Sequence, residues 1–180
     1  MDLGLEGKVA IVTGGSDGIG KAAAISMASE GAKVAIVGRT QAKLDDAVAE
    51  IKKASGGEVI GVATDVSVES DVKAMVEKVV SEYGKLDILV NNAGTSSSTT
   101  LEKMTDEDLK VDFGIKVYGA VYCARAALPH LKKSGAGAIV NTTTPGGKAA
   151  NPGSQPTSLS RAAGISFTKS WAGEFAKDNI

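Results

Sequence analysis

A doubly wound parallel α/β sheet with helices on both faces is the fold class that this 180-residue sequence predicts, and three observations carry it. Short apolar, β-branched runs alternate with longer segments of helical period. The runs are continuously apolar, as strands buried on both faces of a parallel sheet are. A glycine-rich turn follows the first run directly and opens into a helix. The pentapeptide Lys-Val-Ala-Ile-Val occurs at Lys8 and again at Lys33, but the helical segment between the copies makes this a strand–helix alternation and not a solenoid repeat.

The elements follow in order. Strands are expected over Lys8 to Thr13, Lys33 to Gly38, Glu58 to Ala63, Asp87 to Val90 and Ala138 to Thr143. The first helix begins at the glycine turn, runs through Lys21-Ala22-Ala23-Ala24-Ile25 and is closed by Gly31. Thr40 caps the second, with Leu44, Val48 and Ile51 inward; Ser67 or Ser70 caps the third, with Val72, Met75, Val76, Val79 and Val80 inward and Gly84 at its end. Thr105 with Asp108 three positions on starts a longer helix through about Lys132. Right-handed crossovers then give an open sheet. No Pro/Ser-rich linker divides the chain, so residues 1–180 read as one domain. The loop Thr95 to Thr100 is expected to be solvated, and Thr144 to Gln155, rich in Gly and Pro at a strand end, to form the rim of a site.

Composition excludes several classes. Twenty Lys and Arg against 21 Asp and Glu leave a net charge of -1, no electrostatic footprint for nucleic acid or a membrane surface. With 43% hydrophobic and 23% charged residues the chain is globular. No apolar run is long enough to span a bilayer, and Met1 to Glu6 lacks a basic and apolar leader, so a soluble cytoplasmic protein is expected. The lone Cys123 lies in an apolar stretch and reads as a buried, inert thiol. With the single His130 it leaves no metal site.

After the first strand stands Thr13-Gly14-Gly15-Ser16-Asp17-Gly18-Ile19-Gly20. Glycines there permit a tight turn, backbone approach to a pyrophosphate and close helix–strand packing, while the helix N-terminus offers amides to the anion. This is the signature of a dinucleotide site. The spacing Gly14-x-x-x-Gly18-x-Gly20, together with Asn91-Asn92-Ala93-Gly94 after the fourth strand, resembles the short-chain dehydrogenase/reductase family. The resemblance runs along essentially the whole chain, through Asp65-Val66, Ala126-Ala127-Leu128-Pro129 and Ile139-Val140-Asn141. It implies a Rossmann-type sheet in which Gly14, Ser16, Gly18 and Gly20 hold a nicotinamide cofactor. By the same resemblance Ile19 lies under it, Asp65 and Val66 face its adenine, and Asn92, Ala93 and Gly94 support it. At the end of the second strand, where a carboxylate would bind the ribose 2′-hydroxyl, the chain has Gly38-Arg39-Thr40. Arg39 is a charged donor fork, with Thr40 beside it, so NADP(H) is expected over NAD(H).

The resemblance also implies hydride transfer between nicotinamide and a carbonyl or alcohol carbon. Its acid/base group is a Tyr, aided by a Lys four residues on, a Ser that polarises the carbonyl and an Asn in a proton relay. This chain departs at each place. Thr157 stands for the Tyr, Arg161 for the Lys, Thr144 for the Ser and Lys116 for the Asn. Thr144 keeps a hydroxyl, and Arg161 keeps a charge that can bind ribose but cannot relay a proton. Thr157 is the severe loss, because an aliphatic alcohol is too weak an acid to act unaided. Two readings follow. In one, Lys116 takes over as acid, its pKa lowered beside Arg161 in a partly desolvated cleft, while Thr144 and Thr157 orient the oxygen. In the other, the protein binds NADP(H) without chemistry, as a sensor or scaffold. Tyr118 and Tyr122 read as packing residues. The resemblance further implies a small-molecule carbonyl or alcohol substrate. It also implies a homo-oligomer, dimer or tetramer, through the helices around Thr105 to Lys132 and Gln155 to Lys177. Relatives enter a sixth strand where this sequence reaches Ile180, so 1–180 reads as the N-terminal part of a longer chain whose last strands are missing here.

Overall fold

The computed structural model describes residues 3–180, so the Met1-Asp2 part of the leader reading lies outside the described residues. In chain order the elements are β1 (Val9–Thr13), α1 (Gly18–Ser29), β2 (Lys33–Gly38), α2 (Gln41–Ser55), β3 (Val59–Ala63), α3 (Glu69–Tyr83), β4 (Ile88–Asn91), β5 (Ser98–Thr99), α4 (Asp106–Phe113), a π-helical turn (Gly114–Tyr118), α5 (Gly119–Ser134), β6 (Ala138–Asn141), β7 (Gln155–Pro156) and α6 (Thr157–Phe175). The main sheet has the order β3-β2-β1-β4-β6 with every pairing parallel. The order reverses between β1 and β4, and open α/β sheets bind ligands beyond the strand ends at such a switch point.

Strand alternation splits the core in two. Val9, Ile11, Val37 and Leu89 pack with Val72, Met75 and Val79 of α3 and Cys123, Ala127 and Leu131 of α5. On the other face Val12, Val34 and Ile36 pack with Ala24 and Ala28 of α1 and Leu44, Ala47 and Ile51 of α2. Alanines on α1 let its backbone lie close to the sheet. Asp87, buried at the start of β4, accepts from Val9 N and Ser134 Oγ, each at 2.8 Å, and so ties β1, β4 and the end of α5 together. No helix among the described residues is long and apolar enough to cross a membrane.

Several sequence expectations change. The last strand is not buried on both faces: among the described residues β6 is at the sheet edge, with Val140 52% exposed. Neither Ser67 nor Ser70 caps α3. Val68 holds that position, while the Ser67 amide and hydroxyl both donate to Asp65 Oδ1, at 2.9 and 2.6 Å. Thr40 stands at the start of α2 without a side-chain cap bond. Thr105 and Asp108 do form the reciprocal capping box. The long helix they open is broken at 114–118 by the π turn before α5 resumes. The loop of residues 95–100 is not wholly free, since β5 pairs antiparallel with β7.

Candidate functional site

The glycine turn rises from β1 with backbone angles that only glycine adopts readily: φ is +66° at Gly14 and +53° at Gly18. A Cβ on Gly14 would lie 2.9 Å from Ala93 Cα, and one on Gly20 would lie 2.2 Å from the Gly14 carbonyl oxygen, so turn, helix and the Asn-Asn-Ala-Gly segment are in backbone contact. At Gly18 a Cβ would meet nothing within 4 Å, and that space opens on the cleft. The turn is held from below. Thr13 Oγ1 accepts from Asn92 N at 2.9 Å and Ala93 N at 3.0 Å, and Asn92 Nδ2 donates to the carbonyls of Thr13 and Gly14 at 3.1 and 3.2 Å. Asp17 caps α1 by accepting from Gly18 N at 2.7 Å.

A cleft of about 590 Å³ lies above these strand ends, within the size range of small-molecule sites. One end is walled by Ser16, Gly38, Arg39 and Thr40, with Asp65 and Val66 beside them; the other by Gly94, Thr144, Thr157 and Arg161. Gly14, Gly18, Ile19, Asn92 and Ala93 also line it, and Ile19 is 72% exposed to it. The structure therefore brings together the predicted cofactor residues from Gly14 to Arg161. Gly20 is set back, packed on Gly14 and Asn92. The open space at Gly18 fits the phosphates of a dinucleotide, and Arg39 lines one end of the same cleft. Lys43, on the first turn of α2, joins Arg39 at that end. It was not singled out in the sequence, although its position three residues past Thr40 puts it one turn into the helix. Two hydrogen bonds from Ser67, and Arg39 nearby, hold the Asp65 carboxyl below its ordinary range.

The other end differs from the expected arrangement. Lys116 does not line the cleft. It sits in the π turn with its side chain 1% exposed, behind Thr157, and forms an ion pair with Asp112, whose side chain is also 1% exposed. Asp112 Oδ2 accepts from Lys116 Nζ and, at 3.2 Å, from Thr157 Oγ1; Lys116 Nζ in turn donates to Thr157 Oγ1 at 2.9 Å. Thr157 Oγ1 also accepts from Ser97 N at 3.2 Å. Burial pushes the Lys116 ammonium below the usual lysine range and Arg161 adds to this, while Asp112 opposes it. Arg161 donates to the Thr142 carbonyl oxygen, and its Nε is buried without a partner among the described residues. A Cβ on Gly94 would lie 2.9 Å from Arg161 Nη2 and 3.3 Å from Lys116 Cε, so glycine there is what lets both long side chains pass. Thr144 is exposed at the head of a short 3₁₀ turn, Pro145–Gly147. Tyr118 is 55% exposed and stacks on Tyr122 rather than entering the core. The burial of Cys123 is as expected, and its thiol is pushed up to about 12 by desolvation.

Asp112 is the residue that sequence reasoning missed. Its signal was the spacing Asp112-x-x-x-Lys116 within a helical segment, which puts opposite charges one turn apart.

A family model described as short chain dehydrogenase matches residues 8–180. Among curated proteins, the 3-oxoacyl-[acyl-carrier-protein] reductase FabG of Thermotoga maritima is 38% identical over 178 residues, 98% of this chain and 71% of that protein. The 3-oxoacyl-[acyl-carrier-protein] reductase of Synechocystis sp. is 36% identical over 177 residues, again 98% and 71%. Among solved structures, L-sorbose reductase from Gluconobacter frateurii, complexed with NADPH and L-sorbose, superposes with a TM-score of 0.96 at 39% identity, covering 100% of this chain and 68% of that one. NAD+-bound xylitol dehydrogenase gives 0.94 at 31% identity, covering 98% and 68%.

Proposed function

This chain belongs to the short-chain dehydrogenase family, and on that premise we propose that residues 1–180 form a single NADP(H)-binding domain of an oxidoreductase that interconverts a carbonyl and a secondary alcohol, with Lys116 as the source of the proton. When bound, the nicotinamide supplies or accepts the hydride. Arg39 and Lys43, with no carboxylate at the end of β2, suit the 2′-phosphate of NADP(H). The NADPH of the sorbose reductase structure supports that choice, and the NAD+ of the xylitol dehydrogenase is its counterexample. Arg161 is assigned to the nicotinamide ribose and Thr144 to the substrate oxygen.

The observation that carries the chemistry is the 2.9 Å bond from Lys116 Nζ to Thr157 Oγ1, with Thr157 on the cleft wall and Lys116 behind it. Threonine is too weak an acid alone, but here it need not act alone. The Thr157 hydroxyl, whose one proton is directed at Asp112 Oδ2, turns it toward the substrate oxygen; as that proton passes across, a Lys116 proton passes to Thr157 Oγ1, leaving a neutral amine beside Asp112. Alcohol oxidation runs the same transfers in reverse. A second reading, cofactor binding without chemistry, is favoured by one observation: Thr157 Oγ1 already has Ser97 N, Lys116 Nζ and Asp112 Oδ2 as partners.

The test is titration with NADPH and NADH, then a carbonyl panel that includes a ketose and a 3-oxoacyl thioester, followed by loss of NADPH absorbance. NADPH is expected to bind at least about tenfold tighter, since one charge-assisted hydrogen bond contributes roughly 1.5–3 kcal/mol, and Arg39→Asp should reverse the preference. Lys116→Met should abolish turnover while NADPH affinity holds. Equal affinities refute the cofactor choice, and undiminished turnover in Lys116→Met removes Lys116 from the reaction. NADPH binding with no substrate consumed favours the second reading.

A further inference from the structure

We infer that Asp112 is a positioning residue for proton delivery: it keeps Lys116 charged and pressed against Thr157, so that the proton source of this site is the ion pair and not the lysine alone. This rests on reading Lys116 as the proton source. The geometry is specific. Asp112 closes the last turn of α4 and Lys116 lies four residues on, in the π turn, where the helix is locally widened. One carboxylate oxygen, Oδ2, accepts from both Lys116 Nζ and Thr157 Oγ1, which fixes the two donors on the same atom and so beside each other. The other, Oδ1, is buried with no hydrogen-bond partner among the described residues. A carboxylate held dry and half satisfied costs stability, and apolar residues of the same volume would pack there more cheaply. Its placement is explained by what it does to the ammonium.

The groups facing Lys116 are few. From its own helix come Asp112 and, across a small cavity, Cys123, whose thiol stays neutral. From α6 come Thr157 and Arg161, the latter repelling an ammonium. Burial and Arg161 both favour loss of the Lys116 proton, and Asp112 is the negative charge that opposes them. Without it Lys116 would become a neutral amine at a pH where the intact site still holds a proton to give. After each reduction the amine must regain a proton, and the carboxylate favours that recovery.

The experiment follows the Lys116 side chain of the unliganded protein by NMR of 15N-labelled lysine across a pH series. In Asp112→Asn, which keeps an acceptor oxygen but removes the charge, the Lys116 midpoint should fall by about 1–3 pH units, the effect of an opposite charge within ~4–6 Å. In Asp112→Glu it should stay within about half a unit of wild type. The alkaline limb of kcat should move with the midpoint while NADPH affinity holds. A merely structural Asp112 would lower stability and leave the midpoint in place, and that result overturns the inference, as does a midpoint in Asp112→Glu that falls as far as in Asp112→Asn. Where Asp112→Asn does not fold, Asp112→Ser, which also removes the charge and keeps an acceptor oxygen, is read in its place: a fallen midpoint supports the inference and an unchanged one overturns it. Lack of turnover by the wild-type protein would refute the proton-source reading, yet the titration would still decide whether Asp112 sets the charge of Lys116.

Discussion

Replacing Lys116 by Met tests whether the Asp112–Lys116 pair behaves as a buried charge or as an ordinary helical neighbour. The chain contains its own control, since Glu69 and Lys73 have the same i,i+4 spacing at 3.0 Å but with side chains 40% and 60% exposed. Exposed pairs of that kind contribute about 0.3–0.5 kcal/mol. Asp112 and Lys116 are each 1% exposed, which places them in the other regime, where removing one partner leaves an uncompensated charge and costs about 3–5 kcal/mol. Lys116→Met and Asp112→Leu should therefore each destabilise by about 3 kcal/mol or more, whereas Lys73→Met should cost less than about 0.5 kcal/mol. The double variant Asp112→Leu/Lys116→Met removes both charges, so it should cost less than either single one. Urea denaturation followed by circular dichroism reads the difference: with a slope of about 2 kcal/mol/M, a loss of 3 kcal/mol lowers the midpoint by roughly 1.5 M. Additive losses in the double variant, or a Lys116→Met midpoint no lower than that of Lys73→Met, would refute the argument. Activity of Lys116→Met is accordingly measured where its fold is shown to persist.

Gly20→Ala drives a Cβ to 2.2 Å from the Gly14 carbonyl oxygen and 2.6 Å from Asn92 Nδ2. Because the first contact is backbone, the turn must shift; stability should fall by about 1–3 kcal/mol and NADPH affinity by at least about tenfold, read by thermal melting and fluorescence titration. Unchanged affinity would show that the turn does not position the cofactor. Tyr83 is a pH probe: burial, with Glu58 and Glu82 adding to it, pushes its phenol from 10.0 up to about 12. The unfolded chain then loses this proton at lower pH than the folded one, so the stability linked to Tyr83 is present below pH 10 and lost as pH rises from 10 toward 12. Since its hydroxyl is buried without a partner, Tyr83→Phe should change stability at pH 7 by less than about 1 kcal/mol and flatten the alkaline loss. Urea midpoints at pH 7 and pH 11 check both.

Much of the fold was legible because its causes are local. The two Lys-Val-Ala-Ile-Val runs became neighbouring strands with Val9 opposite Lys33, and the Thr105–Asp108 box formed as spaced. Gly84, expected at the end of the third helix, ends α3 at φ of +79°. Less legible were features in which two local solutions compete. Ser67 stands near a helix start yet is held in a local turn by Asp65, whose Oδ1 accepts from both its amide and its hydroxyl, and the helix begins one residue later with Val68 at the cap. The π turn also escaped notice, since the hydrophobic period continues across it.

By itself the sequence determined the strand–helix alternation, the glycine cradle at Gly14 to Gly20 and the basic end of the cleft at Arg39, since period, backbone freedom and side-chain charge are properties of neighbouring residues. The resemblance to the family also pointed to Lys116, Thr144, Thr157 and Arg161 as candidate site residues. Only the tertiary structure decided that Lys116 stands behind Thr157, and that Asp112 is buried against it. In sequence Asp112 follows Asp106, Glu107 and Asp108 and reads as one more solvated acid of that helix. It is an interior charge, paired with Lys116 and bonded at 3.2 Å by Thr157 of α6, 45 residues away. Burial and electrostatic pairing depend on what lies across space, and no spacing along the chain specifies that.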